Sequence, residues 1–478
     1  MSQPRRRISK TVLSLTLTVT MVAGLGYGVA GASNFDVAKK PLDLGNPEIG
    51  MTIERSQSIA HQLRPVPLKL KLKEGPRPAM PKWIASTLDD DPFMKDDAWR
   101  YVRKGYKQGQ VIRKRESVWS KAYFPGSRAI QYAFVSYDSR GYPMTATATL
   151  VVPPHAKENA GIVQWNQFIN SSGPKCKVTT QLNQPDSWGV VNSPIQIMAA
   201  LLIMGHPVLF TDAEGPRNSY AINRLASHVL LDSMRMVHKQ KDFPLRKSHF
   251  VSMGVSHGGL QTGYAAAEQP YYAPDLNPYI EQFIINEGAP DFIKLAHSLG
   301  LYGDLSKVPS MWGAFLVSFL IGAIREYGDM IPNVEQWLTP YGKTLIQTSR
   351  NLCMPFSTVA GGGGLLKYMV KDGFFKSQTF KSMMQIAKDS SSFYYPGVPK
   401  APTLIIHGTT DEILFQADQD KALWQRYCKA GTNTVYQQVP LGTHFTTPVV
   451  SAPRMVVQTL LSLNGIRQVP SCEMPMIL

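Results

Sequence analysis

Three residues of the chain have the types and the order of a nucleophile, an acid and a base: Ser256, Asp411 and His444. Ser256 stands in a Gly-x-Ser-x-Gly pentapeptide between Gly254 and Gly258, where a short apolar run enters and a helix-compatible segment leaves. A turn of this kind leaves no room for a Cβ at either glycine, and it raises the serine hydroxyl above the edge of a sheet. Because glycine and serine are common in ordinary turns, a purely structural turn is the alternative interpretation.

The acid and the histidine each follow a segment that is typical of a buried strand. Residues 403–406 lead through a turn to Asp411, which we prefer to Glu412 because it lies closer to the strand end. A solvated turn aspartate is the alternative interpretation of Asp411. His444 follows a strand predicted over 434–439 and is the only histidine after the acid, so chain order selects it as the base.

The chemistry that these residues predict is attack on an acyl carbonyl. The imidazole of His444 would remove the proton of Ser256, and Asp411 would fix the ring tautomer and stabilise the imidazolium. The oxyanion that forms needs two hydrogen-bond donors, which we expect from the backbone N–H of His257 and from the loop after the strand at 161–164. We expect no cofactor and no metal ion.

Strand-like and helix-like segments alternate around these residues, which predicts an α/β fold with a mostly parallel central sheet and helices on both faces. Strands are predicted over 129–137, 145–152, 161–164, 207–210, 283–285, 402–406 and 434–439, and helices over 195–204 and 225–238. The pattern changes between 291 and 396, where helical segments rich in methionine and aromatic residues dominate.

The segment 311–324 within this insertion is almost wholly apolar but too short to span a bilayer. It is either a buried core helix or part of a lid over an acyl pocket, and both can be true. We therefore predict a core over 90–290 and 397–478, interrupted by a helical cap over 291–396.

The N-terminus is typical of an export signal. Three arginines at 5–7 and Lys10 precede an apolar run over 11–32, which ends in small residues and predicts cleavage near Ala32. An uncleaved anchor remains the alternative at this length. Residues 33–89 are rich in proline and basic side chains and lack periodicity, which predicts an extension or linker outside the core.

Composition limits the remaining choices. The chain has 478 residues, of which 44% are hydrophobic and 18% charged, so it can bury a sizeable core. The net charge of +16 is interpreted as surface charge, with attraction to anionic lipid as a second interpretation. The sequence carries no zinc-ligand cluster or RNA-binding motif, and we expect no nucleic-acid partner. Four cysteines behind an export signal predict two disulfides, with three possible connectivities.

On its motifs the chain resembles the secretory lipase family, the lipase A type of α/β-hydrolase. The resemblance runs from Asp90 to Cys472 and is carried by 231–235, 254–259, 407–413 and the cysteine positions. It implies the α/β-hydrolase fold with an inserted helical cap, and a triad on the three residues named above. The pairing that it implies for the cysteines is Cys176 with Cys353 and Cys428 with Cys472.

The resemblance also implies an oxyanion donor at Asn170, where the family has an aspartate. A backbone donor would survive that change. The expected function is an exported serine ester hydrolase that acts on lipid or acyl esters, with transient contact to a lipid interface. The alternatives are a carboxylesterase or acyltransferase for small soluble esters, a serine peptidase, and a non-enzymatic binding protein, which would be expected to have lost a triad member.

Overall fold

The centre of the protein is a sheet of ten strands. A computed structural model describes residues 67–88, 91–168, 171–185, 195–288, 291–301, 310–354 and 368–477. The predicted export signal therefore lies outside the described residues. The strands are β1 Val111–Glu116, β2 Arg128–Tyr137, β3 Pro143–Val152, β4 Ile162–Asn166, β5 Val208–Thr211, β6 Phe250–Val255, β7 Ile280–Asn286, β8 Thr403–Gly408, β9 Thr434–Val439 and β10 Ser471–Ile477.

The order of the strands in the sheet is β1-β2-β3-β5-β4-β6-β7-β8-β9-β10. The pairs β1–β2, β2–β3 and β3–β5 are antiparallel, and every neighbouring pair from β5 to β10 is parallel. The central strand β6 is buried along its whole length, as a parallel strand covered on both faces must be. The predicted mostly parallel sheet is confirmed.

Helices connect the strands and cover the sheet. Their apolar residues pack on it: Leu225 and Val229, for example, join β2 and β3 in the largest hydrophobic cluster. The helices are α1 Ala98–Val102, α2 Ser120–Tyr123, α3 Val178–Gln181, α4 Ile195–Ile203, α5 Asn223–Lys239, α6 His257–Tyr272, α7 Phe292–Ser298, α8 Ser310–Tyr327, α9 Val334–Trp337, α10 Pro340–Ser349, α11 Gln378–Asp389, α12 Ala417–Lys429 and α13 Thr446–Leu463.

Helices α7 to α11 lie between β7 and β8 in the chain, within the segment that the sequence predicts as a cap. The longest of them, α8, buries one stripe of small and branched apolar side chains at the helical repeat. These are Ala314, Val317, Ile321 and Ile324, each no more than 1% exposed. The last turn of α8 is fixed by the buried guanidinium of Arg325, which donates to the carbonyl oxygens of Ile84, Ser172, Arg217 and Arg350.

The segment 67–88 differs from the predicted extension outside the core. Ile84 is completely buried in the main hydrophobic cluster. The buried guanidinium of Arg77 lies 3.4 Å from carboxylate oxygens of both Glu326 and Asp96. The contacts that hold this segment against the core include the apolar side chain of Ile84 and the ion pairs of Arg77, and such isolated contacts produce no periodic pattern in the sequence. Residues 33–66 of the predicted extension lie outside the described part of the chain.

Two disulfides close loops in the fold. Cys176 is bonded to Cys353 and Cys428 to Cys472, the pairing that the family resemblance implies. The first joins the region after β4 to the insertion, and the second joins α12 to β10. Among the described residues, no helix combines the length and the apolarity that crossing a bilayer requires.

Candidate active site

Ser256 occupies a strained turn between β6 and α6. Its backbone has φ 54° and ψ −120°, a conformation that non-glycine residues rarely adopt. A Cβ on Gly254 would lie 2.2 Å from the carbonyl oxygen of Gly258, and a Cβ on Gly258 would lie 2.3 Å from that of Asn166. Close backbone approach thus requires both glycines, and it presents the serine side chain at the carboxyl edge of the sheet.

The structure brings Ser256, His444 and Asp411 into one hydrogen-bonded row. Nε2 of His444 lies 2.8 Å from Oγ of Ser256, and Nδ1 of the same ring lies 3.0 Å from Oδ2 of Asp411. His444 and Asp411 are buried, whereas Ser256 is partly exposed. This is the geometry in which a neutral imidazole can accept the serine proton while a carboxylate orients it.

The carboxylate of Asp411 is held from both sides. Its Oδ1 accepts hydrogen bonds from the backbone N–H groups of Ile413 and Leu414, each at 2.8 Å. Burial raises the pKa of Asp411, but contacts from His407 and His444 outweigh burial and hold that pKa well below its usual range. The side chain is therefore ionised at neutral pH and fixed in orientation.

Glu412, the other acid that the sequence offers, makes a different contact. Its Oε2 accepts a hydrogen bond of 2.9 Å from the backbone N–H of His444, and its side chain is exposed. It therefore faces the main chain of the histidine, whereas Asp411 faces the imidazole. The structure places Asp411 where the sequence predicts the acid.

Of the two predicted oxyanion donors, His257 lies in the described part of the chain and Asn170 does not. His257 is the first residue of α6, where a helix leaves N–H groups without intrahelical acceptors. Its ring is buried, stacks on Tyr220 at 4.2 Å and accepts a hydrogen bond from the backbone N–H of Ala221. Burial lowers the pKa of His257 to about 3, so this ring stays neutral. Asn170 lies outside the described residues.

An apolar cavity of about 110 Å³ opens at Ser256. The second stripe of α8 forms one wall, with side chains at the i, i+3, i+4 and i+7 spacing of one helix face: Trp312, Phe315, Leu316 and Phe319. Leu295 of α7 and Leu299, directly after this helix, form part of the remaining lining. Ile413 and Leu414, which follow Asp411, form another part. A cavity of this composition holds an apolar chain beside the serine hydroxyl.

A second polar cluster lies behind Asp411, and sequence reasoning missed its role. His407 is fully buried, and its Nε2 lies 3.3 Å from both Asp411 and Glu287, while its Nδ1 faces Asp420. The available signal was position: Glu287 directly follows β7 and His407 belongs to β8, so both lie at the sheet edge that carries the acid.

Glu287, His407 and Asp411 also form the one group among the described residues whose ligand atoms lie close enough together to hold a metal ion. Asp411 is already bound by His444 and by two backbone N–H groups. A metal here would compete with the contact that orients His444. We therefore interpret the cluster as part of the electrostatics of the acid.

Comparison with known proteins identifies the family of the chain. A family model described as secretory lipase matches residues 189–458. Lipase 1 of Candida albicans is 25% identical over 417 residues, covering 83% of this chain and 84% of that protein. A secreted triacylglycerol lipase of Malassezia restricta is 26% identical over 395 residues, covering 78% of each.

Solved structures show the same fold. Candida antarctica lipase A in its closed state superposes with a TM-score of 0.71 at 19% identity, covering 82% of this chain and 91% of that one. The rice cell wall degrading esterase LipA from Xanthomonas oryzae superposes with a TM-score of 0.54 at 12% identity, covering 75% and 97%. The α/β-hydrolase fold is thereby confirmed. The secretory lipase model matches more than half of the chain. The chain therefore belongs to the secretory lipase family and is a lipase or esterase, a hydrolase of carboxylic esters.

Proposed function

We propose that Ser256, His444 and Asp411 are the catalytic triad of this hydrolase, and that it cleaves lipid or medium-to-long acyl esters through an acyl-enzyme. The observation that carries the proposal is the position of Oγ of Ser256. It lies 2.8 Å from the imidazole of His444 and lines the apolar cavity. Nucleophile, base and acyl-binding surface therefore meet at one atom.

The chemistry proceeds in two halves. His444 takes the Ser256 proton as Oγ attacks the ester carbonyl, and the resulting imidazolium is stabilised by Asp411. The same imidazolium then gives its proton to the leaving alcohol as the ester bond breaks. Water, activated by His444, attacks the acyl-enzyme, releases the acid and restores the serine.

Two donors would stabilise the oxyanion in each half. The first is the backbone N–H of His257, supported by its place at the N-terminus of α6. The second is the segment after β4 that contains Asn170. Removing one such donor costs on the order of 3 kcal/mol of transition-state stabilisation in comparable hydrolases.

The cap over 291–396 supplies the acyl specificity in this proposal. One stripe of α8 faces the cavity while the other is buried in the core, so the helix is both a structural element and the wall of the substrate pocket. Burial of an acyl chain contributes about 0.8 kcal/mol for each methylene group. This favours lipid and longer acyl esters over the small soluble esters of the alternative function.

Contact with a lipid surface is supported by apolar side chains close in sequence to the triad. Phe445, directly after His444, is 51% exposed, and Leu441, just before it, is 81% exposed. Phe415, in the loop after Asp411, is 47% exposed. Such residues can rest on a lipid–water interface while the ester enters.

The basic residues and apolar run at 1–32 support export by a signal that is cleaved near Ala32.

Labelling with an alkyl phosphonate ester tests the proposal. The reagent should modify Ser256 stoichiometrically, as read by mass spectrometry of the digested protein. Ser256→Ala should abolish both labelling and ester turnover. Ser252→Ala is the matched control. Ser252 belongs to β6, which leads into the elbow, and its hydroxyl donates a hydrogen bond to the side-chain oxygen of Gln164 inside the core. Labelling of another serine, or turnover in Ser256→Ala, would contradict the mechanism.

A further inference from the structure

His407 is enclosed by three carboxyl groups from three parts of the fold. Its Nε2 lies 3.3 Å from Oε2 of Glu287, after β7, and 3.3 Å from Oδ2 of Asp411, after β8. Its Nδ1 contacts Oδ2 of Asp420 on α12. The ring has no exposed surface. Nδ1 is hydrogen-bonded to Asp420, whereas Nε2 lies at ion-pair distance from two carboxyl groups without a directed hydrogen bond to either. A doubly protonated imidazole places an N–H group, and a positive charge, toward the carboxyl groups on both sides.

The protonation pattern follows from these contacts. Burial alone lowers the pKa of His407, but the surrounding carboxylates outweigh it and raise that pKa well above its ordinary value. Burial and the neighbouring acid raise the pKa of Glu287 to about 9, so this carboxyl is protonated at neutral pH. Asp411 and Asp420 are then the two negatively charged neighbours of the imidazolium at neutral pH, since burial raises the pKa of Asp420 only to about 6.

We propose that the imidazolium of His407 is a positioning residue for the triad, which shares Oδ2 of Asp411 with His444 and thereby sets the acid limb of the pH–activity profile. This inference rests on the proposed triad. In this inference a second histidine influences the reaction through Asp411, although it does not contact the substrate. Oδ2 of Asp411 lies 3.0 Å from Nδ1 of His444, to which it is hydrogen-bonded, and 3.3 Å from Nε2 of His407, which is within ion-pair distance.

The other charged and titratable neighbours leave this assignment intact. Around His407 these are Glu287, Asp411 and Asp420, with Tyr436 of β9 within electrostatic range of the first and last. Around His444 they are Asp411 and Glu412, the latter bonded to the backbone N–H. Of the residues named, His407 is the one cation, besides a protonated His444, that contacts Asp411.

The sign of the effect follows from competition for one oxygen. When His407 holds part of the charge on Asp411, less remains to stabilise a proton on His444, and repulsion between the two imidazoliums acts in the same direction. The base therefore stays unprotonated, and active, to lower pH. Loss of the His407 charge should move the acid limb of kcat/KM to higher pH by about one unit, the scale expected for one partly screened buried charge.

The test is the pH profile of kcat/KM for a soluble ester in the full-length protein. His407→Gln should shift the acid limb upward by about one pH unit and lower kcat at least several-fold. The matched control is His228→Gln, which removes another fully buried histidine, one that contacts Glu268, Tyr137 and Tyr272 instead of the triad. It should lower the melting temperature and leave the acid limb in place. An unmoved limb in folded His407→Gln would overturn the proposal.

A second variant and one measurement on the unmodified protein cover the case in which His407→Gln does not fold. Asp420→Asn removes the negative charge that helps to keep the proton on Nδ1, without changing Asp411. Because His407 then loses its positive charge more readily, the acid limb should move in the same direction. In ¹⁵N NMR of histidine-labelled protein at neutral pH, both ring nitrogens of His407 should be protonated, and a neutral ring would overturn the proposal. Failure of phosphonate labelling at Ser256 would instead reject the triad itself, so the two failures are distinguishable.

Discussion

The two sides of Ser256 differ in polarity: one is charged and the other is apolar. On one side, His444, Asp411 and His407 continue into a buried network of charged groups. On the other side, the cavity is lined by aromatic and aliphatic side chains of α7 and α8. The serine hydroxyl is the atom that both sides share.

This difference separates two tasks. The charged side depends on orientation and on a fixed protonation pattern, so a change of one atom there should alter the rate for every substrate. The apolar side depends on volume and on buried area, so a change there should alter the rate for some acyl chains more than for others. Variants on the two sides should therefore be separable by their dependence on chain length.

The largest expected effect is on the charged side. Asp411→Asn should lower kcat by about four decades for all chain lengths, because the amide would hold His444 in the wrong tautomer. The folded structure should persist, as read by circular dichroism and by the melting temperature. A loss of kcat that varies strongly with acyl-chain length would contradict the proposed separation between the charged side and the apolar side.

The apolar side should give a smaller and selective effect. In the unmodified protein, kcat/KM should rise well over tenfold from acetyl to octanoyl esters and then level when the cavity is full. Phe315→Trp should shorten the preferred chain because Phe315 lines the cavity. The measurement is kcat/KM across a series of ester chain lengths, including emulsified triglyceride. A profile of the unmodified protein that peaks at acetyl would favour the small-ester alternative.

The matched control for this prediction lies on the same helix. Ile321 belongs to the stripe of α8 that is buried in the core, with no exposed surface. Ile321→Ala should lower the free energy of unfolding by about 2–5 kcal/mol and leave the preferred chain length unchanged. A shift in chain length as large as that of Phe315→Trp would show that the two stripes do not act independently.

The smallest effect is expected at Glu412. Glu412→Gln keeps an oxygen to accept the backbone N–H of His444, and the exposed side chain has little electrostatic influence. Turnover should fall by less than about threefold at every chain length. If this variant lost more activity than Asp411→Asn, the acid would have been assigned to the wrong residue.

The elements that position the triad were predictable because their signals are local. The elbow sequence around Ser256 requires glycine on both sides, and β6 and β8 are short, largely apolar runs, while β9 is a short run of strand-forming residues before a turn. The edge strands β1 and β10 were missed. β1 ends in four consecutive charged residues, and β10 is largely exposed, so neither has the apolar pattern of a buried strand.

The cluster around His407 was not predictable for a different reason. Glu287, His407 and Asp420 lie on β7, β8 and α12 or next to them, far apart in the chain, and only the parallel pairing of β7 with β8 brings the first two together. The same holds for Ile84 and Arg77, whose burial depends on contacts with α8. Local pattern identifies a strand or a turn, but it does not tell which distant side chains meet.

A crystal structure of the protein inhibited by an octyl phosphonate ester would test the nucleophile, the oxyanion donor and the acyl-binding cavity together. We expect phosphorus bonded to Oγ of Ser256, a phosphoryl oxygen at the backbone N–H of His257, and the alkyl chain in the cavity against Phe315. Phosphorus bonded to another side chain, or an alkyl chain that lies in solvent beside an empty cavity, would contradict this expectation.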